Sequence, residues 1–430
     1  MKLIRTKGRG ARQAAELLAT LEQRGGAALD TVLPAVRRIV ADVRKQGDRA
    51  LLRYAAKLDG AVIEKQTTLE ALRVTPEEMQ AAWESLDDAM CDALNVAAEQ
   101  IAGFAERQLP QSWKGMPVEG LTTGQLVRPL ASVGCYVPSG RHPLPSTLLM
   151  TAIPAQVAGV ERIVVVSPKP APETLAAAHM LGITEFYRLG GAHAVAALAY
   201  GTESLTRVNK IVGPGNLYVT AAKRLVSFDC GIDMLAGPTE IVVTSEKGRA
   251  ADIASDLVAQ AEHDPEAEAI FITTREELAK EVMDEAARRA ESNPVAKESL
   301  AKNGLVILAA SVDEARAITN RIAPEHLTVD AMSDLEWVVN AGSVFVGRWS
   351  AQPMGDYISG PNHTLPTGGT ARLRGGLSVN DFVKLITVQE YTGAAMKVLG
   401  PRAALLAEAE GLIGHAEAIR VRLAKGGKRG

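Results

Sequence analysis

Aromatic residues make up only 4% of this 430-residue chain, while 47% is hydrophobic, so any core must be built from Ala, Val, Leu and Ile. Cysteines number three, Cys91, Cys135 and Cys230. Their odd number and lack of metal-type or redox-type spacing exclude a disulfide framework or a thiolate zinc site and suit a reducing cytoplasm. Charge of one sign is not in excess: the net formal charge is -3 with 23% charged residues, which gives no reason to expect a nucleic-acid partner. Basic residues do gather in "MKLIRTKGRGAR" and "RVRLAKGGKRG", which are expected to be solvated tails. No apolar run is long enough to span a bilayer, and the most apolar segment, "STLLMTAIPAQVAGV", is broken by Pro154. With no apolar core of signal-peptide type near Met1, the expectation is a cytoplasmic protein free of membrane. Three motifs are also missing: G-x-G-x-x-G ("GPGNLY" lacks the third glycine), the P-loop, and H-E-x-x-H, the last of which excludes a thermolysin-like protease.

What is present is an alternation. Residues from about Ala11 to Ala105 have helical spacing, and "LPAVRRIVADVRKQGDRALLRYAAKLDG" is expected to form helix up to Gly60. From "ASVGCYVPSG" to Asp229, short β-branched runs ("RIVVVSP", "EFYRL", "NKIVG") alternate with Ala-rich helical ones. A second series follows with "TEIVVTS", "EAIFITT", "GLVILAAS" and "GSVFVG". Continuous apolar strands separated by helices predict parallel sheets covered on both faces. The expected fold class is therefore α/β, with two Rossmann-like parallel-sheet lobes and small helical N- and C-terminal segments. The expected divisions are a helical segment over 1–30, a discontinuous first lobe of 31–130 plus 237–375, a second lobe over 131–236, and a small helical domain over 376–430. Two Gly-rich turns, "LGGAHA" and "VGPGNLY", follow strands where a phosphate could meet a helix N-terminus; as tight turns they are equally well explained without a ligand.

Gln260 and His263 stand three apart in "LVAQAEHDPEAEAI", on one face of a helix end. His326 follows Glu325 in "APEHL", His363 lies seven residues after Asp356, and His415 five after Glu410. Each alone is an ordinary polar residue. Together they supply imidazole nitrogens, a carboxylate and an amide oxygen, a nitrogen–oxygen ligand set suited to zinc. Glu325 beside His326 is equipment for general-base chemistry near neutral pH.

The chain resembles the histidinol dehydrogenase family from about Val32 to Arg422. The likeness rests on "GCYVPSGRHPLPSTLLMTAIPA", "KIVGPGN", "DMLAGPTE", "SDLVAQAEHDP", "APEHL", "GSVFVG", "GDYISGPNHTLPTGG", "GLSVNDFVK" and "AEAEGLIGH", in that order. The resemblance implies oxidation of L-histidinol to L-histidine, through bound L-histidinal, with two NAD, one water and one zinc ion per subunit. It implies Gln260, His263, Asp356 and His415 as zinc ligands and Glu325 and His326 as catalytic residues. Substrate contacts would be Thr239, Gln260, His263, His326, Asp356, His363, Glu410 and His415, and NAD contacts Tyr136, His193 and Asn216. It also implies a domain-swapped homodimer in which Glu410 and His415 complete a neighbour's site. Two residues depart from the usual pattern: His193 stands for Gln in "GGAHA", and Thr239 for Ser in "AGPTE". A paralogue acting on another small alcohol, and a non-catalytic protein whose metal only holds a dimer, are the alternative readings.

Overall fold

The structure is a computed structural model that describes residues 1–22, 24, 29–139 and 143–424. Part of the motif at 134–155 and the basic stretch at 425–430 therefore lie outside the described residues. The chain divides into two compact units, Met1–Gln108 with Leu130–Phe382, and Leu109–Pro129 with Val383–Gly430.

In chain order the strands are β1 (Lys2–Arg5), β2 (Trp113–Val118), β3 (Leu121–Pro129), β4 (Ser132–Tyr136) and β5 (Arg162–Val166). They continue with β6 (Glu185–Tyr187), β7 (Lys210–Val212), β8 (Gly231–Ile232), β9 (Glu240–Thr244) and β10 (Glu268–Thr273). The last four are β11 (Leu305–Leu308), β12 (His326–Val329), β13 (Ser343–Val346) and β14 (Val383–Tyr391).

Two parallel sheets build the first unit. One runs β6-β5-β4-β7-β8 and the other β1-β11-β10-β9-β12-β13. Apart from β1, both follow the same half-Rossmann order, third, second, first, fourth, fifth. The path reverses between β4 and β7 and again between β9 and β12, and such reversals open crevices at the carboxyl ends of strands. The strands show why: β9, "EIVVT", is buried along its whole length, as is β10 after Glu268, so side chains on both faces leave water.

Several expectations need correcting. The basic stretch at Lys2–Arg5 is not a tail but β1, paired in parallel with β11, and Arg5 makes a double hydrogen bond to Glu276 at 2.8 and 3.0 Å. The helix expected to run to Gly60 is broken at Gly47, whose φ of 52° interrupts it; helix resumes at Asp48 and ends at Gly60 with φ 75°. Leu29, Val32, Val36, Val40 and Val43 of the helix Leu29–Gln46 bury into one core with β5 and the helices Gly191–Tyr200 and Leu217–Val226. That core ties the stretch from Leu29 to Leu72 to the 131–236 lobe, not to 237–375 as expected. Pro154 does not break the apolar helix, which spans Pro145–Val157. Proline cannot donate to the carbonyl four residues back, and that carbonyl, on Met150, instead accepts from Asn362 Nδ2 at 2.6 Å. Among the described residues no helix is long and apolar enough to cross a membrane.

The second unit is not purely helical. β14, β3 and β2 form an antiparallel sheet, followed by the helices Gly393–Ala409 and Ile413–Leu423. The closing helical segment is interrupted at Gly411, whose φ is 75°.

Candidate active site

A cleft of about 350 Å³ in the first unit is lined by Thr239, His263, Glu325, His326, Asp356, His363 and the loop Gly213–Asn216. Two sheet edges supply these groups. His326 is the first residue of β12 and Thr239 immediately precedes β9, so both stand at the amino edge of one sheet. Gly213–Asn216 follows β7, at the carboxyl edge of the other. Gln260 lies in the last turn of the helix Ala250–Ala261, and Asp356 lies in the short helix Gln352–Tyr357.

These side chains are linked. Gln260 Nε2 donates to Thr239 Oγ1 (2.5 Å), and Thr239 Oγ1 donates to Glu325 Oε2 (2.6 Å), which also accepts from the Glu240 backbone N–H (2.8 Å). His326 Nδ1 lies 3.1 Å from the Glu240 carbonyl and 3.6 Å from Glu325 Oε2. Donation by Nδ1–H to that carbonyl sets the ring's orientation and leaves Nε2, which has no hydrogen-bond partner, 3.7 Å from Asp356 Oδ1. His363 is held by its Nδ1, 2.8 Å from the Asp356 carbonyl.

Burial and charge compete across this cluster. Burial pushes Glu325 up, against the pull of His326. Burial disfavours the charged form of His326 as well, but the carboxylates of Glu325 and Asp356 outweigh it and raise that imidazole to about 9. Asp356 stays below the usual carboxylate range because His326 and His363 overcome its burial. His363 is pushed down by burial, which outweighs the opposing pull of the Asp356 carboxylate and carbonyl. Imidazoles, carboxylates and a hydroxyl thus share one pocket, and the imidazoles and carboxylates set each other's protonation.

A supporting layer was not anticipated from the sequence. Glu240 orients Glu325 and His326 through its backbone, and its side chain, raised by burial to about 7, pairs with Arg24 at 2.5 Å. Gln352, fully buried, donates from Nε2 to Asp356 Oδ2 at 2.8 Å and so turns Oδ1 toward His326. Its spacing of four from Asp356 on one helix was a signal available in the sequence; an acid at the head of "EIVVT" was a fainter one.

Among the described residues no three His, Cys, Asp or Glu side chains are grouped so as to hold a metal ion. Of the four expected ligands, the first unit contributes one imidazole, one carboxylate and one amide, a set such a grouping does not capture. The amide fits a cation: Gln260 Oε1 is buried with no hydrogen-bond partner, and a buried carbonyl oxygen left so is costly unless something positive meets it. Glu410 and His415 belong to the second unit, where both are exposed at the Gly411 turn and the first turn of Ile413–Leu423.

The three expected dinucleotide contacts differ in setting. Asn216 is exposed at the cleft and caps the helix Leu217–Val226 by accepting from the N–H groups of Tyr218 and Val219. Tyr136, at the end of β4, accepts from Gly191 N–H through its hydroxyl. His193 is fully buried with Nε2 2.8 Å from Asp59 Oδ2, and Asp59 also takes the N–H of Gly190. Two N–H groups of the "LGGAHA" turn are therefore already used by the protein. A second hollow, of about 500 Å³, opens at the carboxyl ends of β9 and β12. There Asp330 accepts from the N–H groups of Glu246 and Lys247, filling with a carboxylate the place where a phosphate would sit.

A buried carboxylate–imidazole pair, facing a glycine-rich strand-to-helix loop of a half-Rossmann sheet, defines an α/β enzyme equipped for proton removal beside a nucleotide-type crevice. Comparison with known proteins makes the assignment specific. The profile of the histidinol dehydrogenase family matches residues 22–423. Histidinol dehydrogenase of Bacillus thuringiensis subsp. konkukian is 46% identical over 404 residues, covering 91% of this chain and 93% of that protein. That of Methanothermobacter thermautotrophicus is 44% identical, covering 94% and 97%. The crystal structure of histidinol dehydrogenase from Elizabethkingia anophelis superposes with a TM-score of 0.90 at 33% identity, covering 98% of each chain. The chain belongs to the histidinol dehydrogenase family, and so is an oxidoreductase.

Proposed function

We propose that this protein oxidises L-histidinol to L-histidine, the end of histidine biosynthesis, in two hydride transfers to NAD through L-histidinal. The observation that carries the reading is the linked set Gln260–Thr239–Glu325 with His326 beside it, in a cleft that also receives the Gly213–Asn216 loop. Other expected contacts, His363 near the substrate's carboxylate end and Tyr136, His193 and Asn216 on the NAD side, belong to the same proposal.

His326 takes the alcohol proton at Nε2 as the first hydride leaves the substrate carbon for NAD, giving the aldehyde. Glu325, held by Thr239 and Glu240 and pushed up by burial, then removes a proton from the water that adds to that aldehyde, while His326 returns its proton to the aldehyde oxygen to give the hydrate. The hydrate loses a second proton to His326 and a second hydride to a fresh NAD, leaving the carboxylate. Retaining the aldehyde in the cleft through both steps protects a reactive intermediate from solvent.

Zinc is the metal that Gln260, His263, Asp356 and His415 would hold. When bound it would anchor the substrate's nitrogen atoms and offset the Asp356 charge, easing His326 toward its neutral, proton-accepting form. With protein groups alone, the value of about 9 keeps that imidazole charged at neutral pH.

A homodimer is part of the same reading. The second unit leaves Leu405, Leu406 and Ile413 more than 60% exposed beside Glu410 and His415, an apolar surface that a second copy would cover. Activity per chain should fall as the protein is diluted through dissociation; constant activity on full dissociation would refute shared sites.

The test is NADH formed on adding a limiting amount of L-histidinol to zinc-loaded protein. Two NADH per histidinol supports the four-electron reaction. One would show that the aldehyde escapes, and none, from folded zinc-bound protein, would refute histidinol as substrate.

A further inference from the structure

The floor of the cleft contains an ion pair that the chemistry above does not use. Lys223, on the helix Leu217–Val226, and Asp233, just after β8, both line the cleft, yet their side chains are only 4% and 1% exposed. Their Nζ–Oδ1 distance is 2.6 Å. Taking such a pair out of water is costly, and apolar residues of similar volume would often pack as well or better. The remaining hydrogen bonds show what the pair does. Asp233 Oδ2 accepts from the N–H of Gly213 at 2.7 Å, and Lys223 Nζ donates to the carbonyl of the same Gly213 at 2.5 Å. One ion pair thus takes both main-chain groups of one residue.

That residue is where β7 ends and the loop into the helix Leu217–Val226 begins. Gly213 has φ +110°, a conformation that side-chain-bearing residues rarely adopt, and a Cβ there would lie 2.1 Å from the carbonyl oxygen of Tyr136. The backbone is therefore pressed against the end of β4, at the point where the strand order reverses. Asp233 is itself fixed, since Oδ1 also accepts from the N–H of Met234 and its carbonyl accepts from Arg374. From Gly213 the loop runs to Asn216, whose side chain caps the helix facing the cleft. A loop this short transmits any displacement of its first residue to its last.

We propose that Lys223 and Asp233 are positioning residues for a pyridine dinucleotide: together they clamp Gly213 so that the Gly213–Asn216 loop and the helix after it keep the shape that receives the cofactor. This rests on the reading that the cleft binds NAD beside that loop.

The decisive comparison is between wild type, Lys223→Met, and the double variant Lys223→Met/Asp233→Leu, which replaces the pair by apolar side chains and leaves no buried charge uncompensated. Each is measured for NAD dissociation constant, for histidinol KM against kcat, and for backbone hydrogen exchange. The expected result for the folded double variant is faster exchange confined to the amides of 213–219 and an NAD dissociation constant raised roughly ten- to a hundredfold. The histidinol KM should change far less. Wild-type NAD affinity in the double variant would overturn the proposal, because the pair would then serve packing alone. So would unchanged exchange at 213–219. Wild-type protein that binds NAD but yields no NADH from histidinol would refute the substrate reading and leave the clamp standing on its binding and exchange results.

Discussion

Replacing Thr239 by Val keeps the shape of the side chain and removes one oxygen. That oxygen has two duties: it accepts from Gln260 Nε2 at 2.5 Å and donates to Glu325 Oε2 at 2.6 Å. Losing a hydrogen bond to a charged acceptor costs about 1.5–3 kcal/mol, and stranding a buried amide donor costs about 1–3 kcal/mol more. Water entering from the cleft would recover part of this, so the expected loss of stability is about 2–4 kcal/mol. Thr239→Ser is the control, since it retains the hydroxyl and loses one methyl, for about 1 kcal/mol. Activity should separate the pair further. Without Thr239 the Glu325 carboxylate keeps only the Glu240 N–H as a fixed donor on Oε2, and kcat/KM should drop on the order of a hundredfold in the valine variant. Urea unfolding and initial rates of NADH formation give both numbers. If the valine and serine variants match in stability and in rate, Thr239 is not the link between Gln260 and Glu325, and the account of the site fails at its centre.

Burial raises Asp256 to about 6, although it accepts the backbone N–H of Gln352. The folded value lies above the unfolded one of about 3.9, so protonated Asp256 favours the fold at low pH and that contribution is lost as pH rises through about 6. Asp256→Asn should therefore match wild type near pH 4 and exceed its stability by up to about 3 kcal/mol above pH 6; a difference independent of pH in urea melts would contradict the raised value. His193→Gln retains a donor for Asp59 and should leave NAD affinity equal or better by titration, whereas a large loss would assign the imidazole a role of its own.

The parallel sheets were legible because their strands are runs of β-branched residues between turn signals; "RIVVV" and "EAIFIT" admit few other readings. The metal and acid–base candidates were legible through local spacing and family motifs. What stayed hidden depends on partners distant in sequence. "WKGMPV" has glycine and proline and is wholly exposed, so nothing in its own pattern announces β2, which forms because β3 offers it a ladder. The helix Leu29–Gln46 shows which face it buries but not which sheet it covers, and the lobe assignment went astray there. Pro154 looked like a break because its consequence is local, while its remedy, Asn362, lies over 200 residues away. Lys223 and Asp233 are ordinary residues in sequence, and only the fold shows that both grip Gly213.

The parallel pairing of β1 with β11 sets a waiting time during synthesis. Lys2–Arg5 leaves the ribosome long before Leu305–Leu308 exists, and at about 5–20 residues per second the intervening stretch of roughly 300 residues takes about 15–60 s. Until then a strand bearing Leu3 and Ile4 has no ladder to join. The sheet that carries His326 at the start of β12, with Glu325 just before it, gains its outer edge only when most of the chain has emerged, so a nascent chain halted before β11 would have an unpaired strand open to the wrong partner.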